Sequence, residues 1–185
     1  MDLTSLRSPA PPGLADRVLD RTGPADDWAV VAGPAGPLTV AWSAYGVSLV
    51  LPGEDDAALR AAVRGRLDRG LRRPSMPPAD LLPALASGSS RGIDVDLRGR
   101  SAFEVDVLGA AREIPVGEVR SYAWVAAAIG RPAAVRAVGS ALGRNPVPVL
   151  VPCHRVVRSD GGVGDYVFGS AYKQALLAAE RAQTG

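Results

Sequence analysis

The chain has 185 residues, 47% of them hydrophobic and 22% charged, with a formal net charge of +2, values ordinary for a globular protein of one large or two small domains. They exclude a fibrous or wholly disordered chain, and no apolar run approaches the length needed to span a membrane. A single cysteine cannot form an internal disulfide, and one cysteine plus one histidine fall short of a structural zinc site, so the fold must rest on its apolar core and no metal or cofactor is expected.

Met1 to Asp27 reads as a flexible segment, with Pro9, Pro11, Pro12 and Pro24 around a short candidate helix at 14–21. It has neither the basic start nor the apolar core of a secretory signal, so the protein is expected in the cytosol. The basic residues are nearly all arginine, Lys173 being the only lysine, a bias pointing to a GC-rich, bacterial genome. Residues 28–32, 38–42 and 47–51 are short β-branched or aromatic-rich runs separated by Gly33-Pro34-Ala35-Gly36-Pro37 and Ala44-Tyr45-Gly46, the pattern of a small antiparallel meander. From Glu54 to Arg72, Leu59, Val63, Leu67 and Leu71 recur at every fourth position, which predicts an amphipathic helix laid on that sheet. Pro74, Pro77 and Pro78 end it, 79–86 forms a short helix, and Ser87-Gly88-Ser89-Ser90-Arg91-Gly92 is a linker. The expected organisation is a flexible segment 1–27, an α+β domain 28–90 and a second, mainly helical domain 91–185.

After an extended stretch at 93–97, Ser101 followed three residues later by Glu104 has the spacing of a capping box, and Phe103, Val107, Leu108 and Ala111 form the apolar face of the helix it starts. Ile114-Pro115-Val116-Gly117 stops that helix. A second runs from Ser121 or Tyr122 to Ile129, Gly130 turns the chain, and Pro132 suits the first position of a third, formed by 133–142. The pattern is that of a helix-turn-helix. Its last helix offers Ala133, Ala134, Ala137, Gly139, Ser140 and Ala141, with Arg136 as the only long polar side chain. Such a surface lets a backbone approach nucleic acid closely, with one arginine reaching into a groove, or else packs tightly against a neighbouring helix. From Val119 to Arg158 the basic residues are Arg120, Arg131, Arg136, Arg144, Arg155 and Arg158, with no acidic residue among them. This is the electrostatic footprint of a polyanion site or a solvated basic face. A turn-rich loop, 159–164, leads through Asp165-Tyr166-Val167-Phe168-Gly169 to a final helix at 170–183.

The only cysteine and the only histidine stand side by side as Cys153 and His154. A thiol becomes a nucleophile as thiolate, and an imidazole or a nearby positive charge lowers its pKa; His154 and Arg155 offer both. A lone cysteine after an apolar run is ordinarily core packing. Against that, Pro148 and Pro152 bracket Val149-Leu150-Val151, which predicts a short rigid strand whose end presents the thiol. Successive side chains of an extended segment point to opposite sides, so a contact between Cys153 and His154 requires a turn or a bridging water.

Several pieces together resemble the O6-alkylguanine-DNA alkyltransferases, or methylated-DNA–protein-cysteine methyltransferases. They are Ile114-Pro115-Val116-Gly117-Glu118 with Ser121-Tyr122, Arg136-Ala137-Val138-Gly139, Asn145-Pro146, Pro152-Cys153-His154-Arg155-Val156, Gly164 with Tyr166, and Lys173 with Leu176-Leu177 and Glu180. Their order and spacing match from about Ser101 onward, roughly half the chain; the first half is compatible with the family only in shape. The zinc ligands of some members do not exist here. The resemblance implies an α+β fold whose second domain holds a winged-helix-like helix-turn-helix and an active-site strand or loop. It makes Cys153 the acceptor of the alkyl group, His154 a base acting through a water, Glu180 the group that orients His154, and Tyr122 the proton donor to the departing guanine. DNA would be held by Arg136, Ala137, Gly139, Ser121 and Arg144, with Arg136 filling the space left by an extruded base. Asn145, Val156, Tyr166, Val167, Phe168 and Lys173 would form the pocket, carbonyls near Cys153 and Val156 taking the guanine amino group. The implied partner is DNA containing O6-alkylguanine, met by a monomer with no obligate protein partner and no membrane contact.

The chain departs from the family at Leu108 and Val116, where larger aromatics are common, and at Val167-Phe168, where small residues are common. Phe168 is accordingly expected to narrow the pocket and slow reaction with bulky adducts. Three other functions compete. A lesion-binding protein that accepts no alkyl group would not need Cys153, a transcription regulator would need more base-reading side chains around Arg136, and a cysteine hydrolase has no use for the basic stretch.

Overall fold

The computed structural model describes residues 24–184; the helix expected at 14–21 lies outside them. The three β-rich runs pair as antiparallel strands β1 (Ala25–Gly33), β2 (Gly36–Ser43) and β3 (Gly46–Pro52), in a register that sets Trp28 opposite Ala41 and Val40 opposite Val50. β1 starts three residues before the apolar run does, because Asp26 is drawn into the sheet by Ser48 Oγ (2.5 Å) and Arg69 Nη1 (3.1 Å). Gly46 allows the segment after the first half to dock: a Cβ there would run into the Asp94 carbonyl oxygen. Val47 N donates to Asp94 O and Asp96 N donates to Val47 O. The stretch expected to be extended at 93–97 is thus held to β3 through an isolated bridge between Val47 and Val95.

The amphipathic helix is shorter than its four-residue repeat predicts. It forms α1 (Asp56–Leu67), started by Asp55, whose carboxylate accepts from Ala58 N, and stopped by Asp68 in the left-handed region at φ 51°. Gly70–Pro74 then runs as strand β4, parallel to β1, completing the order β3-β2-β1-β4. Leu71 is buried from this strand. Its spacing from Leu67 fits a helix equally well, and so short an apolar run carries no period of its own. Leu59 and Val63 of α1 cover Trp28, Ala41, Leu49 and Leu71 on one face of the sheet.

The other face, with Val31, Leu38, Val40 and Val50, belongs to a larger core that continues into the second half of the chain. Into it pack Leu81 and Leu85 of α2 (Leu81–Ser87), Val107 and Leu108 of α3 (Ala102–Arg112), Val125 of α4 (Tyr122–Ala128) and Val138 of α5 (Val135–Gly143). The capping box of α3 forms in full, with Ser101 Oγ accepting from Glu104 N and Ser101 N donating to Glu104. Pro132 does not open α5. It lies in a turn closed by Ala134 N donating to Arg131 O, and the helix begins at Val135 behind Ala134, which supplies no side-chain cap. β5 (Arg120–Ser121) and β6 (Val156–Val157) pair in parallel, setting the start of α4 beside the segment that follows Cys153. The last element, α6 (Ser170–Thr184), buries Leu176 and Leu177. The architecture is α+β, a four-stranded sheet joined through one core to a helical half.

Candidate active site

Past the end of α5 the chain meets Asn145, which is fully buried. Its Oδ1 accepts from Val147 N (3.0 Å), a side-chain turn of the kind asparagine favours, while its Nδ2 donates to Val151 O and to Cys153 Sγ, both at 3.0 Å. The strand expected at 149–151 is instead a turn: Pro148 bridges to Val151, and Val149 adopts φ 74°, a conformation that β-branched residues rarely take. Cys153 N then donates to Val151 O (2.7 Å), and Cys153–Arg155 form a single 3-10 turn. Proline excluded a regular helix here but did not require a strand, and the asparagine side chain provides the bonds that close the turn.

Cys153 is 5% exposed. Burial pushes its thiol up from 9.0 to about 11, against the hydrogen bond from Asn145 and the charge of Lys173. Lys173 is fully buried, and its Nζ donates to Val156 O at 2.6 Å and reaches Asp165 O at 3.5 Å. Burial lowers its pKa, while Cys153 and Asp165 pull it the other way. Lys173, not Arg155, is therefore the cation that favours the thiolate. Arg155 points away from the sulfur. Its Nη2 donates to Gly88 O (2.5 Å) and Glu180 Oε1 (2.7 Å), its Nε to both Glu180 oxygens (3.0 and 3.1 Å), and its Nη1 to Ile114 O (2.7 Å).

Glu180 collects these donors together with Gly117 N (3.2 Å) and His154 Nε2 (2.8 Å). Burial would raise its carboxyl, but the bonds from His154 and Arg155 outweigh it and hold the group at about 2. The imidazole is shifted in the opposite sense to its partner's pull: burial lowers the His154 pKa despite Glu180. A neutral ring against an ionised carboxylate must carry its proton on Nε2. Nδ1 is left as an acceptor, buried and without a protein partner.

Cys153 lines a cavity of about 440 Å³ together with Tyr122, Val135, Arg136, Gly139, Leu142, Gly143, Arg158, Gly164, Asp165, Tyr166 and Val167. Tyr122 opens α4. Burial first, then the Asp165 carboxylate and Cys153, raise its pKa, so the phenol stays protonated at neutral pH. Gly164, at φ 71°, is required twice over, because a Cβ there would stand 3.1 Å from the Tyr122 hydroxyl.

Of the residues expected at the site, Cys153, Tyr122, Arg136, Gly139, Tyr166 and Val167 line this cavity, and His154, Glu180, Asn145, Val156 and Lys173 form the buried layer behind the thiol. Ser121 caps α4 by accepting from Trp124 N. Ala137 is exposed on α5, and Arg144 is ion-paired with Glu104 at 2.9 Å. Phe168 does not line the cavity as expected. It packs edge-on against Tyr166 (5.5 Å between ring centroids) and Tyr172 (5.3 Å), leaving Val167 as the loop's contribution to the wall. Arg158 and Asp165 also line the cavity; the sequence marks Arg158 only as the last cation of the basic stretch and does not mark Asp165.

Residues 102–182 match the family model described as 6-O-methylguanine DNA methyltransferase, DNA binding domain. The chain is 39% identical over 155 residues to the Escherichia coli protein named bifunctional transcriptional activator/DNA repair enzyme Ada, an alignment covering 78% of this chain and 42% of that protein. It is 51% identical over 89 residues to a methylated-DNA–protein-cysteine methyltransferase of Mycolicibacterium paratuberculosis, covering 48% of this chain and 53% of that one. The chain thus spans about half the length of these curated relatives. Its fold is similar to the crystal structure of Mycobacterium tuberculosis OGT in complex with DNA, with a TM-score of 0.69 and 32% identity, covering 85% of this chain and 94% of that one.

Proposed function

The chain belongs to the 6-O-methylguanine DNA methyltransferase family, and from that premise we propose that it repairs DNA by moving the alkyl group of O6-alkylguanine, chiefly O6-methylguanine, onto its own Cys153. The observation that carries this reading is the position of the thiol: Sγ meets the wall of a cavity shared with a protonated tyrosine and with α5, and a histidine–glutamate pair lies directly behind it.

A thiol held at about 11 is ionised to only about one part in ten thousand at pH 7. A positioned general base accelerates such a step by roughly 10²–10⁴, which is the deficit to be met. His154 Nδ1, the free acceptor of a ring held by Glu180, takes the thiol proton through a water. The sulfur then attacks the alkyl carbon as the bond from that carbon to O6 breaks. The departing electron pair is matched by a proton from Tyr122 to the base, and the proton removed from the thiol restores the phenol. The product is a thioether and neutral guanine. An alkyl thioether is stable to water at neutral pH and does not revert to the thiol, so each molecule acts once.

A duplex presents O6 inside the base stack, so the nucleotide must be extruded, at a cost of about a few kcal/mol. α5 suits this step. Ala137 and Gly139 leave its surface low enough to enter a minor groove, and Arg136, on the cavity rim, fills the vacated space. Every group named comes from one copy of the chain, so a monomer suffices.

Intact-protein mass spectrometry after incubation with a duplex carrying one O6-methylguanine tests the reading. The expected result is a gain of one methyl group, ending at one equivalent, in the wild type and none in the Cys153→Ser protein. Preferential binding of the lesion with no change in mass would instead make this a lesion-binding protein.

A further inference from the structure

Arg158 follows β6 and is the second arginine on the cavity wall after Arg136. Its side chain is 64% exposed, and its Nη2 lies 2.9 Å from Asp160 Oδ2, on a side chain that is 59% exposed. The carboxylate is itself fixed: Asp160 Oδ1 accepts from Gly162 N at 2.9 Å, and the turn is closed by Arg158 N donating to Gly162 O (2.9 Å) and Gly161 N donating to Arg158 O (3.1 Å). Gly162 makes room for the pair, since a Cβ there would meet Asp160 Oδ1 at 2.9 Å and Arg158 Cδ at 3.4 Å. A compact turn therefore holds one guanidinium at the edge of the cavity against an anchored carboxylate.

An ion pair this exposed contributes little to a fold, so stability does not explain so specific a turn. Other arginines of the basic stretch are committed elsewhere: Arg120 pairs with Glu118, Arg144 with Glu104, and Arg155 with Glu180 inside the protein. Arg158 can exchange its carboxylate for another oxyanion without being desolvated, and the guanidinium fork matches a phosphate.

We propose that Arg158 is a phosphate-gripping arm that leaves Asp160 to bind a phosphodiester flanking the extruded nucleotide, with Asp160 holding it in place until DNA arrives. This rests on the repair reading above. Arg136 then occupies the gap in the stack while Arg158 secures the backbone of the nucleotide that left it. Asp160 has a second consequence: as a competitor of the phosphate, it weakens the grip on DNA.

The test uses the full chain carrying Cys153→Ser, so that the complex does not react, and duplexes with one O6-methylguanine. These carry either ordinary phosphates or a neutral methylphosphonate on the 5′ or the 3′ side of the lesion, with Kd measured by fluorescence anisotropy at several salt concentrations. Adding Arg158→Gln is expected to weaken binding to the ordinary duplex about tenfold and to reduce the salt slope by about one. One of the two methylphosphonates should weaken the protein with Arg158 by a similar factor and leave the Arg158→Gln protein no weaker than it already is. Asp160→Asn should tighten binding to the ordinary duplex. The proposal is overturned if both methylphosphonates weaken the two proteins equally, or if Arg158→Gln binds as before. A wild type that binds with the expected slopes yet gains no methyl group would sink the repair reading and leave the phosphate contact standing.

Discussion

Replacing Glu180 by glutamine keeps the shape of the side chain and removes its charge, so it separates the electrostatic work of this residue from its packing. Two routes, which share the ion pair with Arg155, give the expected loss. Glu180 is 5% exposed and pairs with Arg155, which is 3% exposed; removing one member of a buried ion pair costs about 3–5 kcal/mol, because the other is left charged and unmatched. Holding the carboxyl at about 2 instead of its ordinary 4.5 corresponds to about 3 kcal/mol of stability at neutral pH. The sign follows from a depressed carboxylate: the contribution is complete above pH 4.5 and is lost as the pH falls toward 2. Urea denaturation at pH 7 and at stepped pH down to 3 should therefore show the Glu180→Gln protein about 3 kcal/mol less stable at pH 7, the gap narrowing as the pH falls below 4.5. Methyl transfer, measured where the variant is still folded, should drop by about 10² or more with loss of the group orienting the base. A gap below 1 kcal/mol, or one that does not change with pH, would refute the assignment of Glu180 as a buried, ionised hub.

Gly164→Ala places a side chain in the left-handed region and 3.1 Å from the Tyr122 hydroxyl. It should cost about 1–3 kcal/mol, read as a fall in Tm, and should slow methyl transfer by less than Tyr122→Phe does, because the hydroxyl is displaced and not removed; an unchanged rate in Tyr122→Phe would separate Tyr122 from the chemistry. Lys173→Met removes the cation that favours the Cys153 thiolate. The thiol should titrate above about 11, and its alkylation by iodoacetamide at pH 8 should slow severalfold. A faster reaction would mean that opening of the site, and not charge, controls the sulfur.

The parts legible in the sequence are those whose causes are local. The three strands alternate and are punctuated by glycine and proline. α3 announces itself by Ser101 and Glu104, and the helix-turn-helix by two short apolar periods around Gly130. β4 was hidden because Leu67 and Leu71 keep helical spacing across Asp68, and a left-handed aspartate leaves no mark in the pattern of apolar residues. At 148–152 the prolines correctly excluded a helix, but the path was set by the amide of Asn145, which bonds backbone and sulfur up to eight residues away.

The misassignment of Arg155 shows where sequence adjacency fails. Arg155 stands two residues from Cys153, yet its partner is Glu180, 25 residues on, while the charge that favours the thiolate comes from Lys173 at the opposite end of the motif. The same holds for the first half of the chain, which has no motif of its own. Gly88 O accepts from Arg155 across 67 residues, and Val50 N donates to Pro146 O at the entry to the active-site turn. The sheet and α2 therefore brace both ends of the segment carrying Cys153, and they do so with backbone atoms. A backbone carbonyl places little demand on side-chain identity, so this half can diverge in sequence while keeping its mechanical task, provided its strands and the Gly88 turn hold their positions.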